Sequence, residues 1–337
     1  MDRNEFRHIL ESISVPEDTT SDEMREIMNP ITCALRQMAP DRLYKYRSCT
    51  DNHISAFEND KIWLSTSDLF NDPFDTLIQY NEDTVRTGFN FGESPEMLEV
   101  MAKYLAEGGQ IPESIVHIIG ERWVDRLREM SRDIVDGGNS VIFPSNNQVV
   151  AFKDMINIYL RLLPLVAQRF FMVVCFSERI DSILMWSHYS CNHTGFALGY
   201  DLIPFLNPNE LNLGLFPIVY GDVKYNAEGY LLYMLGHLNK LPVKNPDVMI
   251  PIKLLLYKSL DWEYEQEWRL IRRGISYFRG CAESIMIKPN SIYYGCRISS
   301  EDYQRLHEIA IRKGLEEYQV SIDNSSYRYA MRVNPKV

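Results

Sequence analysis

Short β-type segments separated by helical patterns constrain the fold of this chain more than any other feature. The first two, LYKYR at 43–47 and KIWLSTS at 61–67, are rich in aromatic and β-branched residues and enclose a short helical pattern in DNHISAFEND. FFMVVCFS at 170–177 and GFALGYD at 195–201 enclose a second short helix. Strands dispersed among helices, several in hairpin-like pairs, favour an α+β fold with a mixed or antiparallel sheet over a doubly wound parallel sheet.

Helical patterns define the domain organisation that we expect. Residues 1–40 are predicted to form an N-terminal helical segment, in which Pro30 kinks the second helix. Residues 41–337 are predicted to form a single α+β domain. Apolar residues at helical spacing indicate a large helical insertion in that domain at about 94–168.

Composition restricts the partners and the location of the protein. The net charge of -11 disfavours broad nonspecific binding to a phosphate backbone, because most of the surface repels it. The six cysteines include no CxxC pair, which indicates reduced thiols, and no apolar run approaches the length of a membrane span. We therefore expect a cytoplasmic protein without a membrane partner.

Common catalytic and nucleotide-binding signatures are absent from the sequence. There is no GxGxxG after a strand, no GxxxxGK[ST], no HExxH and no GxSxG. His188 and His193 flank Cys191, but five-residue spacing does not place two histidines on one helical face. No metal site is predicted.

The stretch DWEYEQEWRLI, residues 261–271, carries the most unusual charge pattern. As a strand it would place Glu263, Glu265 and Glu267 on one face, with about 6.5 Å between each glutamate and the next, and Trp268 towards the core. Like charges at that spacing are unfavourable unless something compensates them. Either neighbouring arginines balance a solvent-facing strand, or a ligand faces the carboxylates.

Two other segments favour a ligand. Arg47 ends the first predicted strand, and Ser65, Thr66 and Ser67 end the second. Arginine can clamp phosphate, hydroxyl groups can orient a carboxylate, and a carboxylate can hold a ribose hydroxyl while positive charge develops at the anomeric carbon. These three elements together suit a ribosyl donor that contains a pyrophosphate.

Two aromatic or turn-rich segments have both a structural and a functional interpretation. In MWSHYS, Trp186, His188 and Tyr189 either pack a helix on the sheet or line a pocket with a stacking surface and an imidazole. In FNDPFD, Asn71 and Asp75 either stabilise a turn or close over a ligand between Arg47 and Glu267.

The succession LYKYR, KIWLSTSDLFNDPFD, VVCFSERIDSILMWSHYSCNHTGFALGYD, VKY and WEYEQEWRLI resembles a bacterial family catalogued as domain of unknown function 2971, over roughly residues 42–333. Separately, the order of Arg47, Ser65-Thr66-Ser67 and Glu265-Gln266-Glu267 resembles ADP-ribosyltransferases of the Arg, Ser-Thr-Ser, Glu-x-Glu type.

The second resemblance implies an ADP-ribosyltransferase-like fold and an enzyme that consumes NAD. It would release nicotinamide and transfer ADP-ribose to an unidentified acceptor, either protein or nucleic acid, or to water. Bacterial enzymes of this kind often act in toxin conflict or antiphage defence. The implied roles are pyrophosphate binding by Arg47, shaping of the ribose pocket by Ser65 and Ser67, ring stacking by Tyr44, Tyr46 or Trp186, catalysis by Glu267 and acceptor activation by Glu265.

Two alternatives to this enzyme remain open. A metal-dependent nuclease or hydrolase would use Glu263, Glu265 and Glu267 to gather Mg²⁺. A noncatalytic sensing or interaction module would use an aromatic pocket to bind a ligand or a partner protein.

Overall fold

The computed structural model describes residues 1–16, 18–78, 103–110, 171–206, 213–227, 247–273, 282–325 and 327–336, with six single positions between 125 and 135. The predicted helical insertion at about 94–168 falls almost entirely outside the described residues.

The α-helices are α1 (Arg3–Ser12), α2 (Ser21–Met38), α3 (Asp51–Glu58), α4 (Ile183–Tyr189), α5 (Ile250–Leu254) and α6 (Ser300–Lys313). Short 3₁₀ helices lie at Ser67–Leu69, Ile203–Phe205 and Leu260–Glu265. The strands are β1 (Leu43–Arg47), β2 (Lys61–Thr66), β3 (Phe171–Ser177), β4 (Phe196–Tyr200), β5 (Leu213–Pro217), β6 (Val219–Tyr220), β7 (Tyr257–Lys258), β8 (Glu267–Arg273), β9 (Ala282–Met286), β10 (Ser291–Tyr294), β11 (Glu316–Ile322) and β12 (Met331–Pro335).

Ten of these strands form one sheet. Eight follow the order β12-β11-β10-β4-β1-β3-β2-β9, while β8 pairs with β3 and β5 off this path. Within this sheet β10 and β11 pair in parallel, and the other described pairs are antiparallel. The predicted α+β class with a mostly antiparallel sheet is therefore confirmed.

Capping boxes begin both N-terminal helices. Asp2 and Glu5 form a capping box at α1, and Thr20 and Glu23 form another at α2, so the first free backbone N–H groups of both helices have acceptors. Pro30 lies inside α2, as predicted. Phe6 and Leu10 of α1 are fully buried in the main core, so this segment packs on the body of the protein.

The sheet forks at β3. Strand β8 pairs with one side of β3 over its whole length, from Phe171 to Ser177. On the other side, β1 pairs only at Ser177 and β2 only at Val173 and Met172. Because β1 and β2 diverge from the same edge of β3, they leave a gap over its middle residues.

Residues 261–271 do not form one strand, so the prediction for this stretch is partly wrong. Gln266 adopts a left-handed backbone conformation with φ of 44°, which separates the 3₁₀ helix ending at Glu265 from β8 beginning at Glu267. Glu263 is exposed, whereas the other two carboxylates are buried. Trp268 is fully buried, as the alternation predicts.

Candidate functional site

A cleft of about 890 Å³ opens at the fork of the sheet. Its floor is the part of β3 that neither β1 nor β2 covers, and α3, which connects those two strands, forms one wall. Its lining includes Tyr44, Lys45, Tyr46, Arg47, Asn52, His53, Ser55, Asn59, Lys61, Trp63, Ser65, Asn71, Asp75, Cys175, Tyr189, Lys258, Glu265 and Glu267. Arg47, Ser65 and the Glu265–Glu267 pair, which the sequence predicts to act together, thus line one cavity.

Two cations on β1 form the positively charged side of this cleft. Lys45 and Arg47 lie two residues apart on the strand and so project to the same side. Neither forms an ion pair with a carboxylate within the described ranges. The Lys45 ammonium donates a hydrogen bond of 2.6 Å to the carbonyl oxygen of Cys175, a residue of β3 that lies in the fork.

The local environment disfavours both positive charges. Burial, together with the like charge of Arg47, lowers the pKa of Lys45 from 10.5 to about 8. Burial likewise lowers the pKa of Arg47, which nevertheless remains a cation at neutral pH. Two partly buried cations without a carboxylate partner make this side of the cleft a candidate site for an anion.

The opposite charge is concentrated in a buried cluster around Lys258. The Lys258 ammonium lies 2.6 Å from Glu265 Oε2, 2.8 Å from Glu267 Oε2 and 3.7 Å from Asp75 Oδ2. Arg269 holds the other side of Glu267, with 2.7 Å between Nε and Oε1, and also pairs with Asp75 at 2.5 Å. Three carboxylates therefore share two cations, and one Asp75 oxygen, Oδ1, is buried without a hydrogen-bond partner among the residues that the structure describes.

The two glutamates have different protonation properties. Burial alone would raise the pKa of Glu267, but Arg269 and Lys258 lower it well below the usual range, so this carboxylate stays ionised. Burial and the neighbouring Glu267 instead raise the pKa of Glu265. A permanently ionised carboxylate thus lies beside one that takes up a proton more readily.

Tyr189 and Asn71 extend this cluster towards the cleft opening. The Tyr189 hydroxyl donates to Glu265 Oε1 at 2.5 Å and accepts a hydrogen bond of 3.1 Å from Asn71 Nδ2. Burial and Glu265 raise the pKa of Tyr189, so its hydroxyl remains a donor at neutral pH. The functional interpretation of both residues as cleft residues agrees with this geometry.

The backbone of Glu267 is held from several directions. Its N–H donates to the Tyr220 hydroxyl at 2.8 Å, and its carbonyl oxygen accepts from the Ile218 N–H at 2.9 Å. Arg3 of α1 donates to the same carbonyl at 3.0 Å and pairs with Glu178 at 2.6 Å. The N-terminal segment therefore helps to position the strand residue that lies in the cleft.

Several predicted site residues lie elsewhere. Thr66 and Ser67 are buried outside the cleft lining, and the Thr66 hydroxyl donates to Asp68, since β2 ends there in a 3₁₀ helix. Trp186 is fully buried, and its Nε1 donates to the Ile180 carbonyl at 2.7 Å. The structure thus places Trp186 in the core, which is the structural alternative for this segment.

The remaining aromatic candidates divide in the same way. Tyr44 is half-buried in the cleft lining and makes an edge contact with Tyr293. Tyr46 also reaches the lining, but it is 4% exposed and its hydroxyl donates to the Arg179 carbonyl. His188 is exposed on α4 and lies outside the lining. Of these rings, Tyr44 alone keeps substantial exposure within the cleft.

Sequence reasoning identified Arg47 but missed the other three cations of this site, Lys45, Lys258 and Arg269, and one aromatic residue, Trp63. Lys45 stands between two predicted aromatic residues in LYKYR, and its alternation with Arg47 was the available signal. Lys258 precedes the acidic stretch, while Arg269 was considered only as a surface counter-charge, yet it is fully buried. Trp63, in KIWLSTS, lines the cleft with 48% of its surface exposed.

The described residues contain neither a cluster of metal-ligating side chains nor a helix suited to a membrane. Among the described residues, no three His, Cys, Asp or Glu side chains are grouped in a way that could hold a metal ion. Within the same part of the chain, no helix combines the length and the apolar character needed to cross a bilayer.

Comparison with known proteins gives one match, to a family described as "Protein of unknown function (DUF2971)", over residues 185–270. This match supports the family resemblance for about a quarter of the chain, not for the whole predicted span of 42–333. It includes Lys258, Glu265, Glu267 and Arg269 of the charge cluster, but not Asp75, and it includes neither Arg47 nor Ser65. No curated protein and no solved structure matches the chain.

Proposed function

We propose that the protein is an NAD-consuming ADP-ribosyltransferase-like enzyme that cleaves the nicotinamide glycosidic bond. The observation that carries the proposal is the distribution of charge in one cleft. Lys45 and Arg47 are cations without carboxylate partners in the described structure, and Glu265 and Glu267 line the same cavity. A dinucleotide with an anionic pyrophosphate and a ribose that becomes cationic during cleavage complements both sides.

Each side would have a distinct role in binding. The Arg47 guanidinium, with Lys45 beside it, would bind the pyrophosphate through charge-assisted hydrogen bonds. Ser65 lines the cleft, and its hydroxyl has no side-chain partner among the residues described, so it is free to bind a ribose hydroxyl. Asn71 lies at the exposed margin of the cleft, beside Tyr189, and would contact the nicotinamide half.

The chemical step would use the difference between the two glutamates. The bond between the nicotinamide nitrogen and the ribose C1′ breaks, and its electron pair leaves with nicotinamide. The ionised Glu267 stabilises the positive charge that develops on the ribose, as in glycoside cleavage. The acceptor then bonds to C1′ and gives its proton to Glu265, whose raised pKa makes it a better base near neutral pH.

The acceptor, protein or nucleic acid, stays undefined in this proposal, and water can replace it in an assay. A role in bacterial conflict or antiphage defence is part of the proposal only through the resemblance to ADP-ribosyltransferases.

Nicotinamide release from NAD tests the proposal. We expect the purified full chain to release nicotinamide and Glu267→Gln to lower the rate at least about 100-fold, the range seen when one group that stabilises transition-state charge is removed. Glu263→Gln is the matched control, because this carboxylate is exposed and lies outside the cleft lining. Its rate should equal that of the wild type.

A second variant, Arg47→Met, tests NAD binding without removing an ion pair from the described part of the fold. Removing the charge of Glu267 leaves buried cations partly unpaired and destabilises the fold, whereas Arg47→Met breaks no ion pair among the described residues. Arg47→Met should remain folded and lose the increase in melting temperature that NAD causes in the wild type. A wild-type protein with neither nicotinamide release nor an NAD-induced thermal shift would refute the proposed function.

A further inference from the structure

An exposed tryptophan forms part of the cleft wall on β2. Lys61, Trp63 and Ser65 alternate along this strand and line the cleft, while Ile62 and Leu64 between them are buried in the core. Trp63 is 48% exposed, and no ring of the described residues stacks against it. Such an apolar surface in a concave wall is a feature of ligand sites, because a planar ligand can cover it.

The fork of the sheet explains why residues of both β1 and β2 line one cleft. Ser65 pairs with Val173 of β3, and Tyr44 of β1 pairs with Ser177. If both strands continued along β3, Trp63 and Tyr46 would reach the same partner, Cys175. Since one edge cannot accept two strands, β1 and β2 splay apart, and Trp63, Lys45 and Arg47 all line the cleft between them.

Polar side chains line the same cleft as Trp63. Asn52 and Ser55 of α3, and Asn59 just after it, line this cavity. Amide and hydroxyl groups can donate to and accept from the edge of a heteroaromatic ring. The indole supplies a flat surface, the amides supply edge contacts, and Lys45 and Arg47 supply positive charge for an adjoining phosphate.

We propose that this end of the cleft is a nucleotide subsite, in which Trp63 stacks on the nucleobase of a nucleoside 5′-diphosphate and Lys45 with Arg47 binds its phosphates. The inference deepens the proposed function and rests on it for the choice of adenine as the base. It assigns the stacking role to Trp63 of β2, not to Tyr46 or Trp186, whose rings are packed against each other in the core.

Binding of ADP tests this subsite, because ADP lacks nicotinamide and offers no glycosidic bond for the proposed reaction. We expect isothermal titration to show that wild-type protein binds ADP and that Trp63→Ala binds it about tenfold more weakly, at the lower end of the range for loss of one stacked base. Trp63→Phe should bind within about threefold of the wild type, since a smaller ring retains the flat surface.

Tyr329→Ala is the matched control for the loss of an exposed ring. Tyr329 is 99% exposed and lies outside the cleft lining, so this variant should bind ADP like the wild type. Circular dichroism on all variants would verify folding, and the half-exposed position of Trp63 predicts that both substitutions fold. Equal ADP affinity in the wild type and Trp63→Ala, or no ADP binding by the wild type, would overturn the inference.

Parallel measurement of nicotinamide release separates this inference from the proposed function. If ADP binds in a Trp63-dependent way but NAD is not cleaved, the subsite stands and the enzymatic proposal fails. If NAD is cleaved and Trp63→Ala leaves the KM for NAD unchanged, the enzymatic proposal stands and the subsite is wrong. If NAD is cleaved and Trp63→Ala raises KM with little change in kcat, both are supported.

Discussion

Replacing Lys45 by methionine should stabilise the protein while weakening its affinity for an anionic ligand. Methionine preserves the length of the side chain and removes the charge, which burial and Arg47 disfavour. A buried charge such as that of Lys45 lowers the stability of the free protein. Such a charge is expected in a cleft whose function requires an unpaired cation. The prediction concerns the free energy of unfolding and its dependence on pH.

The magnitude follows from the pKa of Lys45. A decrease from 10.5 to about 8 on folding corresponds to roughly 3 kcal/mol by which the ammonium destabilises the folded state at neutral pH. The methionine variant also loses the hydrogen bond to the Cys175 carbonyl, which offsets about 1–2 kcal/mol of the gain. We therefore expect a net increase of about 1–2 kcal/mol in the free energy of unfolding at pH 7.

The sign of the pH dependence is defined by the same values. Below pH 8 both the folded and the unfolded states hold the Lys45 proton, so its destabilising effect is complete. Between pH 8 and 10.5 only the unfolded state binds this proton, and the stability of the wild type should rise with pH by up to about 3 kcal/mol from this group. The stability difference between Lys45→Met and the wild type should therefore shrink over that interval and then reverse in sign, because a gain of up to about 3 kcal/mol exceeds the net difference of about 1–2 kcal/mol at pH 7.

Urea denaturation at several pH values between 7 and 10 measures this difference directly. Lys61→Met is the matched control, because Lys61 is exposed at the cleft and its loss should change stability by less than about 0.5 kcal/mol. A Lys45→Met protein that is less stable than the wild type at pH 7, with a difference independent of pH, would refute the reasoning.

Two further predictions concern the residues that hold the cleft in place. Gly195→Ala should lower the free energy of unfolding by about 1–3 kcal/mol or more in urea denaturation, because the added Cβ would lie 2.1 Å from the Arg47 carbonyl oxygen on the paired strand; a neutral effect would contradict this packing. Arg3→Met should lower it by about 1–3 kcal/mol and reduce nicotinamide release, since Arg3 holds the Glu267 carbonyl. Arg7→Met, which removes a surface ion pair, should cost less than about 1 kcal/mol, and an equal effect of both variants would argue against a positioning role for Arg3.

Local sequence patterns determined most secondary structure in the described part of the chain. The segment LYKYR forms β1 over Leu43–Arg47, as predicted, because alternating aromatic and charged residues suit a strand with one face in the core. Thr20 and Glu23 form the capping box that begins α2. The sequence pattern locates the start of this helix only approximately. Residues 1–40 contain the expected helices for the same local reasons.

The stretch 261–271 shows where local patterns were insufficient. Alternating glutamates predict a strand with three aligned carboxylates, but the left-handed conformation of Gln266 ends one element and begins another. The Gln266 side chain supports this conformation by donating a hydrogen bond of 2.8 Å to the Glu263 carbonyl oxygen. The left-handed turn at Gln266 lies between Glu265 and Glu267, which form buried ion pairs with Lys258 and Arg269. These buried charges are stable only when all partners are present.

The sequence alone therefore determined the class of fold, the order of the β1, β2 and β8 motifs and the residue types that suit a ribosyl pyrophosphate donor. Tertiary structure decided that Arg47, Ser65 and Glu267 line one cleft, that Trp186 is core, and that Lys45 and Trp63 belong to the cavity. The physical reason is that the cleft exists only because β1 and β2 compete for one edge of β3. The contested edge belongs to β3, which lies far along the chain from both strands, so no single segment carries a signal of the cleft.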